Sequence, residues 1–288
     1  MSRRRRHGYA GVVVVSRVVK LLVSLAVAAG DGVVGPARRL LRRSDQPQVA
    51  VLYYHEVRPE SRARFSWQLD QLTRLARPIP VELRAPPTPG ARYAAITFDD
   101  AYVSVLENAV PELVRRGIPF AVFVPSGNLG DRPRWIIDPS HPCHDEQVMT
   151  GDQLKALACN GLATIGSHTV VHPNLLLLPD DQSDAEIAGS KQDLEAIMGR
   201  PVELLAFPHG AYDDRHLAMA QRSGYRRVFS ILPDSRRLFS DDFVVGRIHS
   251  EPEDWRIETL LKLRCAYRWL PYAFTTKRRL KDLLRRGT

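Results

Sequence analysis

Apolar and β-branched residues recur in short runs of strand length, separated by stretches whose apolar positions follow helical spacing. The runs are Val49–Tyr54, Ala94–Phe98, Phe120–Val124, Thr164–Gly166, Leu204–Phe207, Val228–Ile231 and Val244–Ile248. Helical spacing covers Ser66–Ala76, Val103–Arg116, Gly151–Cys159, Ser183–Met198, Asp214–Ser223 and Trp255–Trp269. Some helices mark their own ends: Asp213 or Asp214 can cap the one that Gly224 closes, and Gly117 with Pro119 stops the one over 103–116. Seven strands alternating with helices predict an α/β fold with a largely parallel sheet, closed as a barrel or left open. No internal repeat is visible. "RAPPTPG" (84–90) reads as a surface connection and 125–150 as a long loop.

Both closures predict the same place for a site, because ligands collect where loops meet over the carboxyl ends of parallel strands. Chemistry-bearing residues fall there. His55 follows the first run, Asp99 and Asp100 the second, His168 the fourth, and Pro208 to Gly210 the fifth; Arg247 and His249 sit at the seventh.

Asp99 and Asp100 end "ITFDD" as an adjacent like-charged pair. Neither carboxylate is easily buried alone, and neighbours on a strand point to opposite faces unless the backbone turns. A glycosidase pair needs its carboxyls ~5–9.5 Å apart across a sugar bond, which adjacent residues fit poorly. A bound cation relieves the repulsion better, with one Asp as ligand and the other free beside it. "SHTVVH" offers further ligands, since one helical turn would set His168 and His172 on one face. Two histidines and one carboxylate leave positions open for water and substrate, and such a set accepts zinc, cobalt, nickel or iron. A non-haem iron oxygenase shares that set, but normally on an all-β scaffold. In "HPCHDE", His141, Cys143 and His144 lack a fourth ligand and read as a surface loop; Trp135 in "RWIIDP" either contacts substrate or packs beneath the loop.

In that order, "TFDDAY", "SHTVVH" and "FPHGAYD" resemble the polysaccharide deacetylase family, the NodB-homology carbohydrate esterases, and within it the poly-N-acetylglucosamine branch. The similarity runs through "VLYYHEV", "PFAVFVPSG" and "RSGYRRVFSI", covering about residues 49–250 and neither end. It implies a distorted (β/α)7 TIM-like barrel over 45–255, between a basic segment 1–44 and a basic helical extension 256–288. It also implies a hydrolase that uses a divalent metal ion, zinc by expectation, to remove N-acetyl groups from N-acetylglucosamine-type sugars of a polysaccharide or oligosaccharide. The resemblance makes Asp99 the general base, with Asp100, His168 and His172 holding the ion and Arg247 orienting Asp99. It assigns an oxyanion N–H to the Pro208–His209–Gly210 turn, with Tyr212 beside it on the substrate side. His55 or His249 is the general acid. Ala101 stands where the family usually has Gly, His209 where it usually has Tyr, and "NGLATIGSH" lacks a common His-Glu pair. Two other activities stay open: an amidase acting on a small amide, and a silent carbohydrate-binding or assembly protein at a membrane. The presence of both aspartates and both histidines disfavours the silent protein.

Charge redirects the reading of the ends. The net +9 suggests nucleic acid until it is mapped. Residues 1–44 hold ten Lys and Arg against Asp31, residues 262–288 hold nine against Asp282, and 45–261 is acidic at −8. A nucleic-acid reader carries its basic face on the fold itself, so that partner is discounted. On a helix, Arg17, Lys20, Ser24, Ala28 and Asp31 line up opposite a valine- and leucine-rich face. The uncharged run Leu21 to Gly30 is too short for a span of ~20 residues, but it suits a helix lying on an anionic membrane surface, aided by Arg38 to Arg43. An export signal after Arg3 to Arg6 and a plain basic tail are the alternatives. The expected location is therefore membrane-associated or exported in a bacterium, with the cytoplasmic face also open. Cys143, Cys159 and Cys265 have no CxxC spacing and imply no disulfide framework.

Overall fold

The computed structural model describes residues 17–32, 48–88, 90–273 and 276. Nine strands appear among the described residues: β1 Gln48–Tyr54, β2 Arg77–Pro78, β3 Arg92–Phe98, β4 Phe120–Val124, β5 Ala163–Ser167, β6 Leu204–Ala206, β7 Arg227–Ser230, β8 Val244–Gly246 and β9 Ile248–His249. The helices are α1 over 17–32, α2 Arg62–Leu75, α3 Val110–Arg115, α4 Gly151–Ala158, α5 Asp180–Met198, α6 Asp214–Arg222 and α7 Arg256–Leu263.

Every ladder is parallel, in the order β8-β7-β6-β5-β4-β3-β1-β9, with β2 alongside β3. The strands read as near-continuous apolar runs because both of their faces are buried. Along β1, Val49 and Val51 join Tyr93, Ala95, Phe123, Ala206, Phe229 and Val245 in an inner cluster drawn mainly from strands. The alternate residues Ala50, Leu52 and Tyr54 face outward to Phe65, Leu69 and Leu72 of α2. The sheet is thus a nearly closed barrel with helices around it, the distorted barrel that the motifs imply.

Closure happens at one residue. Val244 to Ile248 reads in sequence as a single strand, but β8 pairs with β7 and β9 pairs with β1, leaving Arg247 between them. Arg247 donates its N–H to Ser230 O at 3.1 Å, and Ser250 N–H donates to Tyr53 O at 2.9 Å, so the chain changes partner across one residue. Gly246 permits this. A Cβ there would lie 1.9 Å from the Leu232 carbonyl oxygen and 2.4 Å from the Asp234 nitrogen, backbone atoms that cannot easily retreat.

Other differences from the sequence reading have local causes. The helix expected over Val103–Arg116 starts at 103–104 and is interrupted by a π-helical turn, Val105–Ala109, before α3, so it is wound wider there. The helix expected to reach Trp269 ends at Leu263, because Arg264 leaves helical geometry and Cys265 takes a φ of 56°. The segment from His168 to His172 is not the helical turn that its spacing suggests. It is a loop with left-handed Thr169 and His172, φ 66° and 60°.

No helix among the described residues is long and apolar enough to cross a membrane. Arg3 to Arg6, Arg38 to Arg43 and the basic run from Lys277 onward lie outside the described residues.

Candidate active site

Inward-facing residues on β3 alternate as Tyr93, Ala95 and Thr97, and Asp99 continues that face just past the strand. Its N–H extends the ladder by donating to Tyr54 O at 2.9 Å. The chain then turns through two left-handed residues, Asp100 (φ 68°) and Ala101 (φ 52°). That turn brings the second carboxylate to the same side as the first. Ala101 therefore occupies a conformation that suits glycine, at a cost of roughly 1–2 kcal/mol.

A cavity of about 560 Å³ opens there, its wall including His55, Asp99, Asp100, His168, His172, His209 and His249. Asp99 is clamped from behind by Arg247, whose Nη1 and Nη2 donate to Oδ1 at 2.6 Å and Oδ2 at 2.9 Å. Nη1 also donates to Thr97 Oγ1 at 3.1 Å. The guanidinium is wholly buried, with its carbon 4.7 Å from the Tyr53 ring centroid and 5.2 Å from that of Phe123. Burial opposes charge on Asp99, but Arg247, His168 and the guanidinium hydrogen bonds outweigh it and hold the carboxyl below its usual range.

Asp100 has the opposite balance. Burial raises its pKa and the neighbouring Asp99 charge adds to the rise, with His55 and His168 only partly offsetting it. Its Oδ1 is buried and accepts no hydrogen bond. That oxygen lies 3.7 Å from His168 Nε2 and 3.3 Å from His172 Nε2. His168 Nδ1 donates to Ala206 O at 2.7 Å, which fixes the tautomer and turns the Nε2 lone pair toward Asp100. The His172 pKa is driven well below 6.5 by burial first and then by His168, His209 and His55, so its ring is neutral at neutral pH.

Among the described residues, these three form the one group that could hold a metal ion, with ligand atoms within 4.8 Å of one another. Tetrahedral zinc ligands at ~2.0–2.1 Å stand roughly 3.4 Å apart, close to the two separations seen. An orphaned carboxylate oxygen facing two imidazole nitrogens fits a divalent cation, which would supply the missing positive charge.

The loop between the histidines is braced by Glu186 of α5, whose Oε2 accepts from Val170 N–H at 2.8 Å and Val171 N–H at 2.9 Å. No local sequence signal marks Glu186. Trp135 stacks on His172 with centroids 4.5 Å apart and on Tyr102 at 6.5 Å, so it both lines the cavity and orients an imidazole.

In the Pro208–Gly210 turn, Gly210 N–H donates to Phe207 O and Ala211 N–H to Pro208 O, both at 3.0 Å. Proline has no N–H, so the turn's uncommitted donor is that of His209. His209 itself has a φ of 56° and its ring meets His172 edge-on at 4.7 Å. Burial, then His168, lowers its pKa. Gly210 (φ 62°) has no room for a Cβ, which would lie 2.3 Å from Ile231 Cγ1. Gly210→Ala is expected to cost about 2 kcal/mol, from left-handed strain alone and with Ile231 displaced besides. A thermal melt that does not move would refute this account of the turn.

Tyr212 is not brought into the cavity wall. It stacks on Phe207 at 4.7 Å within an outer apolar cluster. The rings of His55 and His249 lie 5.8 Å apart on the cavity wall, and Tyr53 completes a triangle with them at 5.7 and 5.0 Å. His249 leaves 46% of its side chain open, yet its surroundings, led by burial and then His55 and Lys262, push its pKa down. His141 and Cys143 also reach the wall, without a metal-binding partner set of their own.

A Bacillus subtilis protein named for polysaccharide deacetylases, YxkH, is 23% identical over 222 residues, spanning 73% of this chain and 74% of its own. The poly-beta-1,6-N-acetyl-D-glucosamine N-deacetylase of Staphylococcus aureus is 24% identical over 161 residues, 53% of this chain and 52% of that enzyme. The solved structure of IcaB from Ammonifex degensii superposes with a TM-score of 0.63 at 24% identity, covering 76% of this chain and 99% of that one. That likeness shows a shared fold. Residues 87–228 match the polysaccharide deacetylase family, and that part of the chain carries the family's domain.

Proposed function

We propose that this deacetylase removes N-acetyl groups from N-acetylglucosamine-type units of a polysaccharide, with a divalent metal ion held by Asp100, His168 and His172. The observation that carries the reading is the pairing of an orphaned Asp100 oxygen facing two imidazoles with a neighbouring Asp99 clamped in its ionised form. When bound, the ion supplies Lewis-acid polarisation of the acetyl carbonyl and lowers the pKa of water toward ~7.

The chain's own residues supply the rest. Asp99 takes a proton from the attacking water, and Arg247 keeps it ionised for that role. The His209 N–H donates to the oxygen on which negative charge develops. His55 gives a proton to the departing amine, because an unprotonated amine leaves poorly. His249, the other candidate, has its pKa lowered, by burial first, and so seldom carries a proton to give at neutral pH. The ~560 Å³ cavity, with Trp135 and Ile137 on its wall, suits one sugar of a longer chain. The name of the Staphylococcus aureus relative supports poly-β-1,6-N-acetylglucosamine as the first polymer to try.

The test is acetate release from β-1,6- and β-1,4-linked N-acetylglucosamine oligomers, before and after dipicolinate treatment. Chelation is expected to reduce the rate by more than ~10²-fold, with zinc or cobalt restoring it. The unfolding free energy is expected to fall by ~3 kcal/mol where the ion had been present at a hundred times its Kd. Chelation that moves neither the rate nor the melt would refute the metal site. Release from a small acetamide but from neither oligomer would move the assignment to an amidase.

A further inference from the structure

Helix α1 sits on the barrel with its charged edge turned inward. Arg17 donates to both oxygens of Glu258 and lies over the Trp255 ring at 4.7 Å. Trp269 Nε1 donates to the buried Ser24 Oγ at 3.0 Å, and Arg268 makes a two-point contact with Asp31 at 2.6 and 2.7 Å. Leu21, Val27 and Ala28 fill the spaces between these anchors. The face left outward consists of Val18, Val19, Leu22, Val23, Leu25 and Ala26, with the alanine and glycine that follow, and it carries no charge. Leu22 is 59% exposed and Val19 50%. A surface helix of a soluble domain normally shows water its polar side. Here the polar side is used up in fastening the helix to the protein.

We infer that α1 is a rigid anchor that offers its outward apolar face to an anionic membrane surface. Charge selects this occupant over a second copy of the chain. Residues 1–44 carry a net +9, with four arginines before α1 and four after it, while 45–261 is net −8. Two copies meeting face to face would bring two strongly cationic segments together, whereas anionic headgroups would attract each one and water-repelling side chains would enter the interface beneath them. The exposed Trp255 and Ile257 lie at the start of α7 beside Arg17, and an indole there suits the headgroup level. The anchor is also placed with respect to the cavity. Arg17 and Lys20 are close enough to Glu251 and His249, both on the cavity wall, to interact with them electrostatically.

The experiment is sedimentation of the full chain with phosphatidylcholine vesicles, with and without phosphatidylglycerol, for the unaltered protein and for V19E/L22E. Anionic vesicles are expected to pellet the protein, and added salt to weaken that binding. V19E/L22E is expected to bind at least ~10-fold less well, a loss of apolar burial, with an unchanged melt and unchanged acetate release from a soluble oligomer. Equal pelleting of both proteins would overturn the inference, leaving charge alone as the attraction. So would a dimer seen by light scattering without lipid that V19E/L22E dissociates, together with no vesicle binding. A chain that binds vesicles and releases no acetate would refute the proposed reaction and leave the anchor standing.

Discussion

Asp99→Asn is expected to slow acetate release from an N-acetylglucosamine oligomer by ~10²–10⁴-fold, the usual contribution of a positioned general base, while the metal content stays the same. The amide cannot take a proton, yet it keeps the shape of the side chain. The expectation is specific because the two aspartates do different jobs on the same turn. Asp99 has both oxygens bound to Arg247 and Asp100 has an oxygen bound to nothing, so only Asp100 is free to give a ligand atom. Asp100→Asn is accordingly expected to lose metal and rate together. The check is kcat for each variant beside metal per chain by elemental analysis. If Asp99→Asn sheds the metal, or keeps the full rate, the two roles are assigned wrongly.

Arg247→Ala is expected to destabilise the protein by ~3–5 kcal/mol, the cost of leaving a buried charge without its partner. The pH dependence follows from the pKa of Asp99, which lies below the ordinary carboxylate value in the folded protein. The pair's stabilisation is therefore fully present above the unfolded value of ~3.9, and it is lost as pH falls through the lower folded value. Without Arg247, burial dominates and the Asp99 pKa rises, so the variant's deficit is greatest near neutrality and shrinks as acid protonates the carboxyl. Urea unfolding at pH 7 and pH 4 measures both. The rate should fall as well, because a protonated Asp99 is no base, and the acid limb of the rate profile should move to higher pH. A deficit that is the same at both pH values would mean that Arg247 acts by filling space. Arg247→Lys keeps the charge but not the two-point grip, and is expected to fall between.

The ends of the strands were the legible part of the chain. Apolar runs mark the barrel, and His55, Asp99, His168 and Arg247 are readable because each interrupts such a run where loops begin. The failures share a cause as well. Closure at Arg247, the loop through Thr169 and the early end of α7 are decided by backbone conformations and partner changes that leave no periodic trace. Glu186 illustrates this, since it braces the histidine loop from 16 residues away and looks like any surface carboxylate of a helix. Tyr212 failed in the opposite sense. It travels with its motif in sequence, and the turn at Gly210 sends it outward to stack on Phe207.

Six non-glycine residues among those described have a left-handed backbone, and five of them are Asp100, Ala101, Thr169, His172 and His209. Each costs roughly 1–2 kcal/mol, so the ligand loops are held against their own preference by the barrel beneath. Heat tolerance and turnover therefore compete at the same positions. Anyone engineering a hardier enzyme would find glycine attractive at Ala101 or Thr169, and would risk a relaxed protein whose imidazoles and carboxylates no longer converge. Reinforcement is better placed in the outer helices, where added stability leaves the tension at the mouth untouched.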